Sequence, residues 1–166
     1  TGKRVAIVGG GPSGLSAAYY LQLMGHSCTF FELRPKLGGM LRYGIPNYRF
    51  PRERLQEDID CILSTGVEIK YNTKIGESLT IDDLRRQYDA VYVSIGAQSD
   101  KKVGIEGEES KNVYSAVDLL GSIGSDNPPD FTGKRVVVIG GGNVAMDCVR
   151  SSRAKPRSFT AAAKRI

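Results

Sequence analysis

The chain has 166 residues, of which 40% are apolar and 25% charged, a balance typical of an ordinary globular protein. This composition excludes intrinsic disorder, collagen and coiled coil, and no apolar run approaches the roughly 18 residues of a membrane span. The first residues also lack the basic, apolar and small-residue order of a secretion signal. The net charge of +5 arises in residues 150–166, which hold six basic residues and no acid. Because no aromatic stacking run accompanies them, we expect neither nucleic acid nor a membrane as a partner.

The three cysteines, Cys28, Cys61 and Cys148, lie far apart in the sequence and form no CxxC pair. This spacing argues against a disulfide framework, a zinc site or a dithiol redox centre. It fits a protein of the reducing cytosol, so we predict a cytoplasmic location and no metal site.

A repeat organises the chain. The segment TGKRVAIVGGG at residues 1–11 recurs as TGKRVVVIGGG at residues 132–142, with eight of eleven positions identical. The offset is too long for a solenoid, whose periods run about 20–50 residues. The repeat therefore predicts two copies of one nucleotide-binding device.

The first copy contains the elements of a dinucleotide-binding unit in order. Residues 4–8 predict a buried central strand, and residues 28–33 predict a second strand that carries Glu32. Between them a GxGxxG loop opens a helix whose inner face is predicted to hold Gly14, Ala17, Ala18, Leu21 and Met24. The loop glycines permit a tight turn, close approach of a pyrophosphate and close helix packing, while the acid accepts hydrogen bonds from a ribose. The predicted binding residues of this loop are Gly9, Gly10, Gly11, Pro12, Ser13 and Gly14.

The second copy is a strand over residues 135–139 followed by a GxGxxA loop, with Val144, Ala145, Cys148 and Val149 on the apolar helix face. Its own second strand and acid should follow about 20 residues later. Pro156 and a basic, apolar-poor sequence stand there instead. We interpret the second unit as begun but not finished. Our hypothesis for residues 151–166 is a basic, non-native tail from a truncated or frame-shifted reading frame.

Between the two copies, Pro51 is predicted to open a helix with Leu55, Ile59, Ile62 and Leu63 inside. Strands are predicted over residues 67–75 and 88–97, and a capping box at Thr80 and Asp83 predicts a short helix near 81–87. The turn-rich residues 121–133 predict a linker. We thus expect an FAD-binding domain over 1–120, the linker at 121–133, the start of an NAD(P)-binding domain at 134–150 and the tail at 151–166.

Four segments together resemble a known family: TGKRVAIVGGGPSGLSAA, FELRPKLGGMLRYGIPNYRFP, YDAVYVSIGA and GKRVVVIGGGNVAMDC. They are similar to the glutamate synthase small subunit-like NAD(P)H-dependent FAD oxidoreductases. That group includes the flavin portion of dihydropyrimidine dehydrogenase and NADPH:ferredoxin oxidoreductase subunits. The resemblance implies an α/β fold of the Rossmann-like, two-dinucleotide-binding-domain flavoprotein type, here incomplete, with FAD on the first fingerprint and NAD(P)H on the second.

The resemblance also implies individual roles. Glu32 would bind the ribose of FAD, Gly39, Met40, Arg42 and Arg49 would border the flavin, Ile75 would touch the adenine, and Gly96 would pass close to the cofactor. NAD(P)H would lie on Gly140, Gly141, Gly142, Asn143, Val144 and Ala145. Core packing is the alternative for Met40 and Tyr43, and surface ion pairs are the alternative for Arg42 and Arg49.

The implied activity is passage of electrons from NAD(P)H through FAD to an iron–sulfur partner. The cofactors carry this chemistry, so no catalytic side chain is predicted. The cysteine-rich region and the later Gly-Asp segment of the family are absent from these residues, so we expect a fragment that holds most of an FAD domain. Two alternatives remain open: a nucleotide-binding or interaction remnant without turnover, and a dehydrogenase with a single NAD site.

Overall fold

The computed structural model describes residues 2–153, so the predicted tail lies largely outside the described residues. The described chain forms two compact units. The first contains the residues up to Arg42 together with Phe50–Gly96, and the second contains Tyr43–Arg49 and the residues from Ala97 onward. The predicted boundaries of the FAD- and NAD(P)-binding parts stay predictions.

The first unit is built on a four-stranded parallel sheet. Its strands are β1 (Arg4–Val8), β2 (Ser27–Phe31), β3 (Glu68–Lys70) and β4 (Ala90–Val93), in the spatial order β3-β2-β1-β4. Strand β1 is central, with Ile7 opposite Phe30 on one side and Tyr92 on the other. The predicted α/β class and central first strand are confirmed.

Helices cover both faces of this sheet. They are α1 (Pro12–Leu23), α2 (Gly39–Tyr43), α3 (Arg52–Leu63) and α4 (Ile81–Gln87), and the last residue of α2 belongs to the second unit. Because successive side chains of a strand point to opposite faces, Val5 and Ile7 pack in the core cluster that includes residues of α1 and α3. Ala6 and Val8 pack with Leu84 of α4. The predicted inner face of α3 and the capping box of α4 are confirmed.

Several element predictions need correction. Strands β3 and β4 are shorter than predicted, and α2 forms where no helix was predicted. Met24, predicted to be inside, is 63% exposed because it lies at the C-cap beyond the last turn of α1. Leu15 of α1 is buried instead, and it lies with Ala18 on the face of the helix that packs against the core.

The second unit contains α5 (Ala116–Gly124) and α6 (Asn143–Ser152), which pack through Leu119, Leu120 and Cys148. The predicted linker overlaps the end of α5. Residues 135–139 form no strand, because no residue of the described chain pairs with them through backbone hydrogen bonds. Val137 and Ile139 are exposed. Val144 was predicted on the inner face of α6, but it is exposed, and Asp147 is buried there instead.

Candidate functional site

The first glycine loop connects β1 to α1 in a conformation that side chains would obstruct. Gly9 has a φ of +100°, and a Cβ there would lie 2.5 Å from the carbonyl oxygen of Ser94. A Cβ on Gly14 would lie 2.2 Å from the carbonyl oxygen of Gly9. These distances are far below van der Waals contact, so the turn and the close packing of helix on strand both require glycine.

Gly11 differs from the other two because the space beside it is open. A Cβ there would meet only the Cα of Gly39, at 3.7 Å, and its φ of −80° suits any residue. Gly11 is also the N-cap of α1 and provides no capping side chain. The first N–H groups of a helix lack partners within the helix, so this end is suited to bind an anion.

The two side chains next to Gly11 have simple roles. Pro12 occupies the first turn of α1, where its missing N–H is not needed. The hydroxyl of Ser13 lies 2.9 Å from the hydroxyl of Tyr92 on β4. The loop is therefore linked to a neighbouring strand by a side-chain hydrogen bond.

Glu32 follows β2 directly and is buried against the loop. One carboxylate oxygen accepts a hydrogen bond from the amide of Gly10 at 2.7 Å, and the other accepts one from the amide of Arg34 at 2.8 Å. The structure therefore places the predicted ribose-binding acid beside the fingerprint. Contact with a ribose stays a prediction.

A second glycine segment, Leu37–Gly39, lies against the same loop. The amide of Gly38 donates to the carbonyl of Gly10 at 2.8 Å. A Cβ on Gly39 would approach the Cα of Gly11 to 2.7 Å. The two glycine segments therefore touch through their backbones, next to the open space at Gly11.

Met40, predicted to border the flavin, is 37% exposed, and Tyr43, for which core packing was the alternative, is buried. Arg42 is not in a surface ion pair: it is buried and donates to the carbonyl of Leu37 and to Gln56. Arg49 does form an ion pair, at 2.8 Å, with Asp147 of the second unit, to which Arg49 itself belongs.

The remaining predicted contacts lie near strand ends of the same sheet. The amide of Thr73 donates to the carbonyl of Glu32, and Ile75 bridges to Leu79 shortly after it. Gly96 follows β4 with a φ of +66°. In parallel sheets, ligands bind at the carboxyl ends of the strands, which is the edge where these residues lie.

The second glycine loop repeats the local features of the first. Gly140 has a φ of +132°, and a Cβ there would lie 3.3 Å from the Cβ of Ala145. Gly142 has nothing within 4 Å of a Cβ and is the uncapped N-cap of α6. Gly141 and Asn143 are exposed between and after them. This loop also has an open helix end suited to an anion.

Sequence reasoning missed two residues that lie close to these loops in the fold or in the chain. The hydroxyl of Ser94 donates to the carbonyl of Gly9 at 2.8 Å, and its signal was its place at the end of the strand next to β1. Asp147 is buried and accepts hydrogen bonds from the Tyr48 hydroxyl at 3.0 Å and from Arg49. Its signal was an acid between Ala145 and Cys148 on an otherwise apolar face.

The cysteines offer no redox pair. All three are free, and burial raises the pKa of the Cys28 and Cys148 thiols, which makes them poorer nucleophiles. Within residues 2–153, no cluster of histidine, cysteine and acidic side chains could hold a metal ion, and no helix is long and apolar enough to cross a membrane.

Comparisons with known proteins agree with this geometry. A family model described as "Pyridine nucleotide-disulphide oxidoreductase" matches residues 3–155. The chain is 46% identical over 154 residues to the NADP(+)-dependent formate dehydrogenase subunit beta of Moorella thermoacetica, covering 92% of this chain and 22% of that protein. It is 38% identical to the glutamate synthase [NADPH] small chain of Escherichia coli, covering 92% of this chain and 34% of that protein.

Among solved structures, FprA of Mycobacterium tuberculosis in complex with NADPH matches with a TM-score of 0.80 and 30% identity, covering 90% of this chain and 36% of FprA. The thioredoxin reductase of Lactococcus lactis shares the fold, with a TM-score of 0.62. The chain thus spans about a fifth to a third of the length of the curated relatives described above.

Proposed function

The chain belongs to the pyridine nucleotide-disulphide oxidoreductase family, and from this premise we propose that it binds FAD on its first glycine loop and NAD(P)H on its second. The observation that carries the proposal is that each loop has, at the start of its helix, one glycine with open space beside its Cα. Gly11 and Gly142 each stand at an uncapped helix N-terminus with space beside the backbone.

The residues around the first loop fit the cofactor. The diphosphate of FAD would lie at Gly11 and the N-terminus of α1, with Glu32 beside the ribose, because the helix end favours an anion and the acid accepts hydroxyl hydrogen bonds. Gly39, which the resemblance places at the flavin, has no side chain that would obstruct this opening. Bound FAD supplies the hydride-accepting chemistry, and the protein positions it and shields it.

We further propose that electrons pass from NAD(P)H through FAD to an iron–sulfur protein or domain. The name of one relative, the NADPH-Fe(3+) oxidoreductase subunit beta of Geobacter sulfurreducens, gives NADPH as the electron donor and ferric iron as the acceptor, which supports an iron centre as the electron partner. The chain is 47% identical to it over 153 residues, covering 89% of this chain and 23% of that protein. A conventional acid, base or nucleophile is not needed for this reaction. The raised pKa of the buried thiols of Cys28 and Cys148 is consistent with a chemistry that does not use them.

The proposal is tested with two matched variants, Gly11→Ala and Gly142→Ala. Each adds one methyl group where the fold has room, because both glycines have extended backbone angles and no tight neighbour. We expect G11A to keep its circular dichroism spectrum but lose FAD absorbance, and to retain NADP+ binding. G142A should bind FAD normally and lose NADP+. If G11A binds FAD as tightly as the unmodified chain, the assignment of the first loop is wrong.

A second candidate function is nucleotide binding without turnover. It is favoured by residues 135–139, which precede the second loop but pair with no strand in the described chain. Such a loop lacks the rigid strand that normally fixes a fingerprint. Anaerobic addition of NADPH to the FAD-loaded chain separates the two functions: loss of flavin absorbance supports electron transfer, and unchanged absorbance supports binding alone.

A further inference from the structure

Arg42 is a buried cation whose hydrogen-bond acceptors are both neutral. Its Nε donates to the carbonyl of Leu37 at 2.5 Å, and its Nη2 donates to the side-chain oxygen of Gln56 at 2.6 Å. No carboxylate within residues 2–153 forms an ion pair with it. A buried charge without an opposite charge is unfavourable for the folded state. The burial of Arg42 is therefore better explained by attraction between its guanidinium and a bound anion than by a contribution to the stability of the fold.

The guanidinium lies one peptide away from the first glycine loop. The backbone of Gly38 is packed on Arg42, since a Cβ there would lie 3.0 Å from the Arg42 Cβ and 3.3 Å from its Nε. The amide of the same residue donates to the carbonyl of Gly10. Arg42 thus fixes the Leu37–Gly39 segment from one side while the fingerprint loop contacts it from the other.

The charge of Arg42 affects the pKa of a neighbouring phenol, the side chain of Tyr71. The pKa of Tyr71 is raised mainly by burial, and Arg42 opposes that rise while Asp60 and Glu32 add to it. Arg42 and Glu32 thus have opposite effects on the pKa of Tyr71. The electrostatic influence of the guanidinium extends beyond its own hydrogen bonds.

We propose that Arg42 is a positioning residue and a buried counter-charge for the diphosphate group of the dinucleotide on residues 9–14. It acts through the carbonyl of Leu37, which holds Gly39 against Gly11, and its unpaired charge favours an anionic ligand at that opening. The inference rests on the proposed function of the first loop, and it adds the feature that the diphosphate is attracted by a cation outside the fingerprint.

A charge swap on α3 tests the counter-charge. At present the Gln56 amide donates to the exposed Asp60 carboxylate at 2.7 Å. The double variant Q56E/D60N reverses that hydrogen bond and brings the carboxylate to the guanidinium, with no change in net charge. We expect affinity for FAD and for ADP to fall about tenfold, because the cation is neutralised, while the melting temperature does not fall. D60N alone is the control and should bind both ligands normally.

The outcomes are separable. Equal FAD affinity of the swap and the unmodified chain overturns the counter-charge, and a loss confined to FAD overturns its assignment to the diphosphate that FAD shares with ADP. If the unmodified chain binds no FAD, the proposed function and the counter-charge both fail. The positioning role is decided on the ligand-free chain by hydrogen exchange. The variant R42Q should speed exchange of the Gly38 amide and the exposed control R54Q should not, and equal rates overturn that role.

Discussion

The carboxylate of Glu32 accepts a hydrogen bond from the amide of Gly10 across 22 residues of sequence, at 2.7 Å. Because the other carboxylate oxygen accepts from the amide of Arg34, the acid joins the end of β2 to the glycine loop before any ligand is bound. The residue predicted to bind a ribose therefore also builds the loop that would hold the diphosphate.

Replacing this acid should weaken both folding and binding. In Glu32→Gln one amide N–H must face a backbone N–H, so we expect the free energy of unfolding to fall by about 1.5–3 kcal/mol, the range for hydrogen bonds to charged groups. Urea unfolding measures the change, and FAD titration should show a parallel loss of affinity. The exposed Glu77→Gln is the control and should unfold like the unmodified chain. Identical urea midpoints for E32Q and this control would contradict the structural role.

Two glycine-to-alanine changes in helices should have opposite effects. In Gly14→Ala the new methyl would lie 2.2 Å from the carbonyl oxygen of Gly9, so overpacking should lower stability by about 1–3 kcal/mol. In Gly121→Ala, within α5, the methyl meets nothing within 4 Å and should raise stability by about 0.5–1 kcal/mol. Thermal unfolding of both variants checks the signs, and stabilisation by G14A would refute the close packing of α1 on β1.

The local parts of the fold could be predicted from the sequence because each depends on residues close together in the chain. The strand β1, the helix α1 that the glycine loop opens, and the Thr80–Asp83 capping box are of this kind. Residues 135–139 show the limit of such reasoning. Their apolar, β-branched run predicts a strand, but a strand also needs a hydrogen-bonded neighbour, and no described residue supplies one.

The candidate site was predictable to the same extent. The spacing of the fingerprint glycines was enough to predict the loop. The contact between Gly11 and Gly39 could not be predicted, because a sequence pattern does not show which distant backbone segments are in contact. The burial of Arg42 was equally hidden, since an arginine is normally exposed and its acceptors here are a backbone carbonyl and an amide. Helix α5 was missed because its glycines and serines are typical of a turn.

Acid should weaken the N-terminus of α4. The Asp83 carboxylate accepts hydrogen bonds from the Thr80 hydroxyl and amide and pairs with Arg86, which lowers its pKa from 3.8 to about 2. A depressed pKa in the folded state means that this contribution is present above pH about 4 and is lost as the pH falls toward about 2. Carbon-13 NMR titration of the carboxyl group measures the pKa. The variant Thr80→Ala should move it back upward, and an Asp83 that titrates at 3.8 in the unmodified chain would refute the capping box.

The Asp147 cluster predicts two shifts of opposite sign at one phenol. The pKa of Tyr48 is raised by burial and by its hydrogen bond to the Asp147 carboxylate, while Arg150, whose guanidinium lies 5.6 Å from the ring centre, lowers it. In Asp147→Asn the phenol keeps a hydrogen-bond acceptor but loses a negative neighbour, so its pKa should fall. In Arg150→Gln the pKa should rise further. NMR titration of carbon-13-labelled tyrosine, with Tyr48→Phe to assign the signal, measures both shifts, and a Tyr48 pKa that moves the same way in the two variants would show that Asp147 and Arg150 do not act on it by charge.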